Sequence, residues 1–187
     1  MQTSYDLLIR NATIVDGTEA IRYTADIGIN GDRIVKIDDL STSSGKTEID
    51  LKGQVAAPGF IDAHTHDDRL MLSNPEMTPK VSQGVTTIIG GNCGVSLAPM
   101  PRPIPDPVTP PLNLLDDEGK WFKFTTFKAY LDALRAQPST TNRAMLVGHT
   151  TLRVATMDDL EQPATTAQIA AMRELVVEAM QAGAIGV

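Results

Sequence analysis

The sequence has 187 residues, 42% hydrophobic and 21% charged, which is enough apolar material for a sizeable globular core. With 16 basic against 23 acidic side chains and a net charge of −7, it offers no cationic surface for a phosphate backbone, so nucleic acid is not an expected partner. No apolar run approaches membrane-spanning length, and Met1 is followed by neither a basic stretch nor a signal-type apolar run; no membrane association is expected, and the cytoplasm is the default location.

Residues Tyr5 to Asn11, Ala25 to Asn30 and Arg33 to Asp38 alternate or run apolar over strand lengths, and Asn30, Gly31 and Asp32 supply turn residues between the last two. Residues 1–57 therefore read as short antiparallel strands joined by tight turns. The rhythm changes near Pro58. A strand at Phe60-Ile61, a helical segment from Thr78 to Gln83 and a strand from Val85 to Ile89 argue for parallel β/α units. Between Pro99 and Pro111 lie seven of the 12 prolines, a density that no helix or central strand tolerates because proline lacks a donor N–H. An inserted loop over about residues 95–120 is the expectation.

Aromatic residues crowd the next stretch, and Phe127, Tyr130, Leu131 and Leu134 keep helical spacing, which predicts a helix packed on the scaffold rather than an aromatic binding platform. Ala144 to Val147 is a strand candidate. From Ala167 to Ala182, Ile169, Met172, Val176 and Met180 share one helical face, with a capping-box pattern in Thr165 and Gln168 and a helix stop at Gly183. Ala184 to Val187 begins another apolar strand, and a chain ending there reads as truncated.

Chemistry concentrates at three places. The strand around Phe60-Ile61-Asp62 runs into His64 and His66, and residues i and i+2 of an extended chain project from one face, so both imidazoles can reach one cation. Two solvent-exposed histidines are the alternative, but the pair ends the first strand of a β/α series, where barrel enzymes place their chemistry. The next strand ends in Gly90-Gly91-Asn92-Cys93-Gly94. Cys93 is the sole cysteine, which excludes an intrachain disulfide and leaves a buried thiol, a reactive group or a metal ligand. A soft thiolate on the same face as a histidine pair suits zinc. The third place is Gly148-His149-Thr150-Thr151-Leu152-Arg153. His149 is a candidate to orient substrate or support a metal ligand, and Arg153 to meet a carboxylate; the alternative is that both tie down a strand-to-helix loop by hydrogen bonds.

Together these residues resemble the amidohydrolase superfamily, and within it the N-acyl-D-amino-acid deacylase (D-aminoacylase) branch. The superfamily likeness rests on Gly31-Asp32-Arg33-Ile34-Val35, Ile49-Asp50 and Pro58-Gly59-Phe60-Ile61-Asp62 with the His-X-His. The branch likeness rests on His66-Asp67-Asp68, Met77-Thr78-Pro79-Lys80, Gln83-Gly84-Val85-Thr86-Thr87, Gly91-Asn92-Cys93-Gly94 and the segment Gly148 to Arg153. The resemblance implies an α/β fold: a partial (β/α)8 TIM-type barrel over residues 58–187, preceded by part of a small β-sandwich domain in residues 1–57. It implies zinc as cofactor, with His64, His66 and Cys93 as metal ligands, and a small-molecule N-acyl-D-amino acid as substrate. The branch also uses two histidines from later strands and a general acid/base aspartate from the last strand, none of which occurs up to Val187, so the chain alone is expected to be inactive. Zinc-bound water, with its pKa lowered to about 7, would attack the acyl carbonyl. The rival readings are a cyclic-amide or dipeptide amidohydrolase and a non-catalytic half-barrel fragment with exposed strand edges.

Overall fold

Residues 4–187 are described by the computed structural model, and the chain divides into two units, Met1–Pro58 and Gly59–Val187. In the first unit, β1 (Ser4–Ile14), β2 (Tyr23–Asn30), β3 (Arg33–Asp38), β4 (Ser44–Asp50) and β5 (Val55–Ala56) form one sheet in the order β3-β2-β1-β4, with β5 also pairing β1. The β2–β3 hairpin turns at Gly31-Asp32, where Gly31 has φ 57° as a tight turn requires.

The sheet is mixed rather than antiparallel throughout, because β4 and β5 both run parallel to β1. The cause lies in the connection after β3. Leu40 is buried against Tyr5 and Leu8, so the chain packs back over β1 to start β4 beside Ser4 instead of doubling back as a hairpin. Arg10 fixes that crossover: its guanidinium donates to the carbonyls of Leu40 and Ser43, both at 2.8 Å, and pairs with Asp26 at 3.4 Å and Glu48 at 3.1 Å. The pairing of β1 with β2 shifts register between Ile9 and Ala12, a bulge in which Asn11 takes φ 53° and donates its N–H to Asp26 at 2.9 Å.

The second unit is α/β. Three parallel strands, β6 (Phe60–Asp62), β7 (Val85–Gly90) and β8 (Asn142–Met145), lie in the order β6-β7-β8. Two single-turn helices, α1 (Leu70–Ser73) and α2 (Thr78–Val81), connect β6 to β7, and α3 (Phe127–Ala136) precedes β8; α4 (His149–Thr156) and α5 (Thr166–Ala182) follow it. Strand β8 starts two residues before the apolar stretch that predicts it, since Asn142 and Arg143 pair with β7 through their backbone, and the Asn142 side chain adds a hydrogen bond to Thr86 O at 3.3 Å. The last residues make one bridge, Leu146 to Gly186, instead of a strand. No helix among the described residues is long and apolar enough to cross a membrane.

One core fills this unit. The aromatic cluster belongs to it: Phe127, Tyr130, Leu131 and Leu134 are all buried on one face of α3. Thr126 caps α3 by accepting from Ala129 N–H at 3.0 Å, and the Glu178 carboxylate on α5 accepts from Phe127 and Lys128 N–H, both at 3.0 Å, placing negative charge at the helix start. Helix α5 carries the capping box expected of Thr165 and Gln168, but its apolar stripe is only half used. Met172 and Val176 pack on the core, whereas Ile169 and Met180 remain exposed, because the contact centres on the small, fully buried Ala179.

The proline-rich insert lacks regular structure apart from a 3-10 turn at Leu112–Leu114, yet it is a packed layer rather than a loose loop. Val95, Leu97, Ala98, Met100, Val108, Leu112 and Leu115 are all in the core. Arg102 fastens the insert to the end of α4, donating to Val154 O and Asp158 Oδ1 at 2.7 Å each and to Met157 O. These charged donors satisfy terminal carbonyls of the helix and oppose its negative end. Arg102→Ala is expected to lower stability by about 2 kcal/mol, read as a lower midpoint in a denaturant titration with unchanged slope. An unchanged midpoint would show the anchor to be idle.

Candidate metal centre

Each parallel strand of the second unit ends in a loop that carries polar side chains. After β6, Thr65 N–H still reaches Ile89 O at 3.4 Å, so the chain stays beside β7 while His64 and His66 project from it. Their rings lie edge to face with centroids 5.8 Å apart. After β7, the chain turns sharply through Gly91 at φ 82°, Cys93 at φ 53° and Gly94 at φ 73°. Cys93 is exposed and holds a left-handed conformation that a non-glycine residue rarely adopts, a cost of order 1 kcal/mol that the surroundings must sustain. The turn delivers Cys93 Sγ to within 3.0 Å of His64 Nε2.

One donor atom from each of His64, His66 and Cys93 falls within 4.8 Å of the others. Two observations fit a divalent cation to these residues. Two imidazoles and a thiol are a donor set suited to borderline-soft zinc, and His66 Nδ1 is a buried nitrogen with no hydrogen-bond partner.

The loops that carry these donors are cross-tied. Asn92 Nδ2 donates to Ile89 O at 2.6 Å and Thr65 O at 3.4 Å, joining the cysteine turn to the histidine loop. Asp68, fully buried, accepts Gly91 N–H at 3.1 Å on Oδ2 while its Oδ1 has no partner. Burial pushes the Asp68 carboxyl up to about 7, against the hydrogen bond from Gly91 and with the nearby Asp67 charge adding to the rise. Tyr130 Oη donates to Asp68 O at 3.0 Å and anchors the same loop on α3. Space is short here: a Cβ on Gly91 would stand 2.1 Å from Leu146 O, and one on Gly148 2.5 Å from Gly94 O. Only glycine fits either position.

Lys80 on α2 lies beneath the histidine loop, 2.6 Å from Asp62 Oδ2, 2.9 Å from Asp67 Oδ2 and 3.1 Å from Thr65 Oγ1. Partial burial works against its charge, but the two carboxylates outweigh burial and raise its pKa; the hydrogen bond from Lys80 in turn holds Asp62 below the usual carboxylate range. Sequence reasoning assigned no role to Lys80, Asp62, Asp67, Asp68 or Asn92. The available signal was the run of acidic residues beside the histidine pair.

The structure does not bring His149 and Arg153 into the three-donor cluster. His149 is the first residue of α4, exposed, and it lines a groove of about 390 Å³ with Leu152, Met172, Val176 and Val187. Arg153 donates to the carbonyls of Leu160 at 2.6 Å and Gln162 at 3.2 Å, tying down the loop before α5.

Parallel strands whose C-terminal loops gather two imidazoles and a thiol form a candidate metal centre. The chain belongs to the amidohydrolase family, whose model matches residues 47–187. It is 52% identical over 183 residues to a D-aminoacylase of Alcaligenes xylosoxydans xylosoxydans, a match covering 98% of this chain and 37% of that protein. A solved D-aminoacylase with a binuclear metal centre superposes with a TM-score of 0.92 at 50% identity, over 97% of this chain and 38% of that one. An N-acyl-D-glutamate deacylase from Bordetella bronchiseptica, solved with zinc and a phosphonate mimic of the tetrahedral intermediate, gives 0.88 at 41% identity, over 98% and 38%. This chain thus spans little more than a third of the length of these relatives.

Proposed function

We propose that the protein carrying this chain hydrolyses the amide bond of N-acyl-D-amino acids, with zinc held by His64, His66 and Cys93. The observation that carries the reading is the convergence of those three donors within 4.8 Å at the ends of β6 and β7. The deacylases to which the chain is similar lend it a substrate class. In this reading residues 58–187 contribute strands and helices to a (β/α)8 barrel, and residues 1–57 to a small β-sandwich domain.

A bound zinc ion would supply Lewis acidity and an acidified water at neutral pH. The chain's own residues hold and orient. His64 and His66 would offer ring nitrogens to the ion, and Cys93 its sulfur. Asn92 and Asp68 fix the two loops against each other, so the donors are preorganised rather than gathered on binding. No residue of this chain is assigned the proton-transfer step. A hydrolase of cyclic amides is the second reading; against it stands the resemblance, in which many other amidohydrolases carry a bridging carboxylated lysine or glutamate where this branch, and this chain at Cys93, has a cysteine.

The test is a paired assay of the purified full-length protein that carries this chain. Release of free amino acid from N-acetyl-D-methionine, little from the L enantiomer or from a hydantoin, and loss of turnover on chelation with recovery on adding zinc are expected. Turnover of the hydantoin alone would move the assignment to the cyclic-amide class. Full activity after chelation would remove the metal from the reading.

A further inference from the structure

We propose that Lys80 is the positioning residue of the metal centre, holding the His64–His66 loop in its ligand-presenting shape by clamping the carboxylates on either side of it. The proposal rests on the reading of His64 and His66 as metal ligands. An ammonium group has three donor hydrogens, and that of Lys80 has three oxygen neighbours, all within the six residues Asp62 to Asp67: Asp62 Oδ2 at 2.6 Å, Asp67 Oδ2 at 2.9 Å and Thr65 Oγ1 at 3.1 Å. These lie before, after and between the two histidines. Asp62 passes the restraint directly to the first of them, since its Oδ1 accepts His64 N–H at 3.2 Å. Thr65 closes the figure by donating to Asp67 Oδ2 at 2.6 Å.

The clamp stands on a firm base. Lys80 lies on the single turn α2, and Met77 before it is fully buried. Pro79 stiffens the first turn, and the carbonyls of Pro75 and Glu76 accept from Thr140 N–H at 2.9 Å and Thr140 Oγ1 at 2.6 Å, next to β8. Lys80 is itself only 20% exposed, so its charge is poorly screened and its two carboxylate partners are strongly held.

Two influences of Lys80 on a bound cation have opposite signs, which makes the proposal testable. As a point charge it repels a divalent ion, so removing it should tighten binding. As a clamp it keeps the imidazoles aligned, and outer partners of metal ligands are worth about 10–100-fold in affinity. The positioning role predicts the second outcome. In the purified protein, Lys80→Met should weaken zinc binding at least tenfold in a competition titration against a chelator. It should also broaden and shift the visible bands of the cobalt-substituted protein while the unfolding midpoint stays near that of the parent. Lys80→Arg, which keeps charge and donors, should recover part of the affinity. Unchanged or tighter binding by Lys80→Met overturns the clamp. If Lys80→Met does not fold, Asp62→Asn replaces it, with a loss of about threefold expected and no loss counting against the proposal. His66→Ala is titrated alongside: if it binds zinc as the parent does, the ligand assignment itself falls, and the clamp with it; if it loses zinc while Lys80→Met does not, only the clamp falls.

Discussion

Replacing Cys93 with alanine is expected to strip the bound metal from the purified protein and abolish amide hydrolysis. A methyl group has no lone pair to offer, and losing the one thiolate of the donor set should drop affinity below what survives dialysis. The backbone complicates a simple reading, because Cys93 sits at φ 53° and alanine is no more comfortable there than cysteine. Cys93→Gly separates the two effects. It should lose metal just as fully, while the metal-free protein gains up to about 1 kcal/mol in stability from relief of the left-handed strain. Zinc per chain after dialysis, measured by atomic emission, is the deciding quantity. Alanine and glycine variants that keep one equivalent of zinc and normal turnover would reduce Cys93 to a packed thiol.

Stability of the metal-free protein is expected to fall as pH rises from about 4 to about 7, and Asp68→Asn should flatten that fall. Desolvation pushes the buried Asp68 carboxyl from its ordinary 3.8 to about 7, so the native state holds a proton that the unfolded chain has already released between those values. For an acid raised in the folded state, the stabilising contribution is complete below about pH 4 and disappears as pH climbs through about 7. The span corresponds to on the order of 4 kcal/mol. Asparagine keeps an oxygen to accept Gly91 N–H and cannot ionise, so the variant should overtake the parent in denaturant midpoint at pH 8 in the presence of chelator. Parallel stability curves for the two proteins from pH 5 to 8 would dispose of the idea.

Much of the second unit was legible from residue patterns because the signals there are local. The capping box of Thr165 and Gln168 and the α3 face of Phe127, Tyr130, Leu131 and Leu134 each follow from spacing within about a dozen residues, and the parallel pairing of β6 with β7 follows from the alternation of strand and helix between them. The i, i+2 spacing of His64 and His66 likewise implied a shared face, and the structure brings both beside Cys93. What escaped depends on residues distant in sequence. The parallel pairing of β4 with β1 is decided by Leu40 finding Tyr5 and Leu8, which no turn signal encodes. Lys80 stood out only as part of the Met77-Thr78-Pro79-Lys80 motif, with no role attached, because its partners Asp62 and Asp67 lie more than a dozen residues away. The proline-rich insert was recognisable as irregular, but irregular backbone says nothing about burial, and its Val95, Leu97 and Leu112 proved to be core.

The left-handed backbone at position 93 also bears on which metal the scaffold can be made to prefer. Asparagine, aspartate and histidine enter that region several-fold more readily than other side chains, whereas β-branched residues resist it. The turn Gly91 to Gly94 therefore acts as a conformational filter on donor chemistry, open to a carboxylate or an imidazole where it now offers sulfur. An aspartate at 93 would keep the fold of the turn and replace a soft donor with a hard oxygen, moving the site's preference away from zinc and toward manganese. The same filter rejects threonine and valine whatever their size, so the range of metals open to this loop is bounded by a single torsion angle.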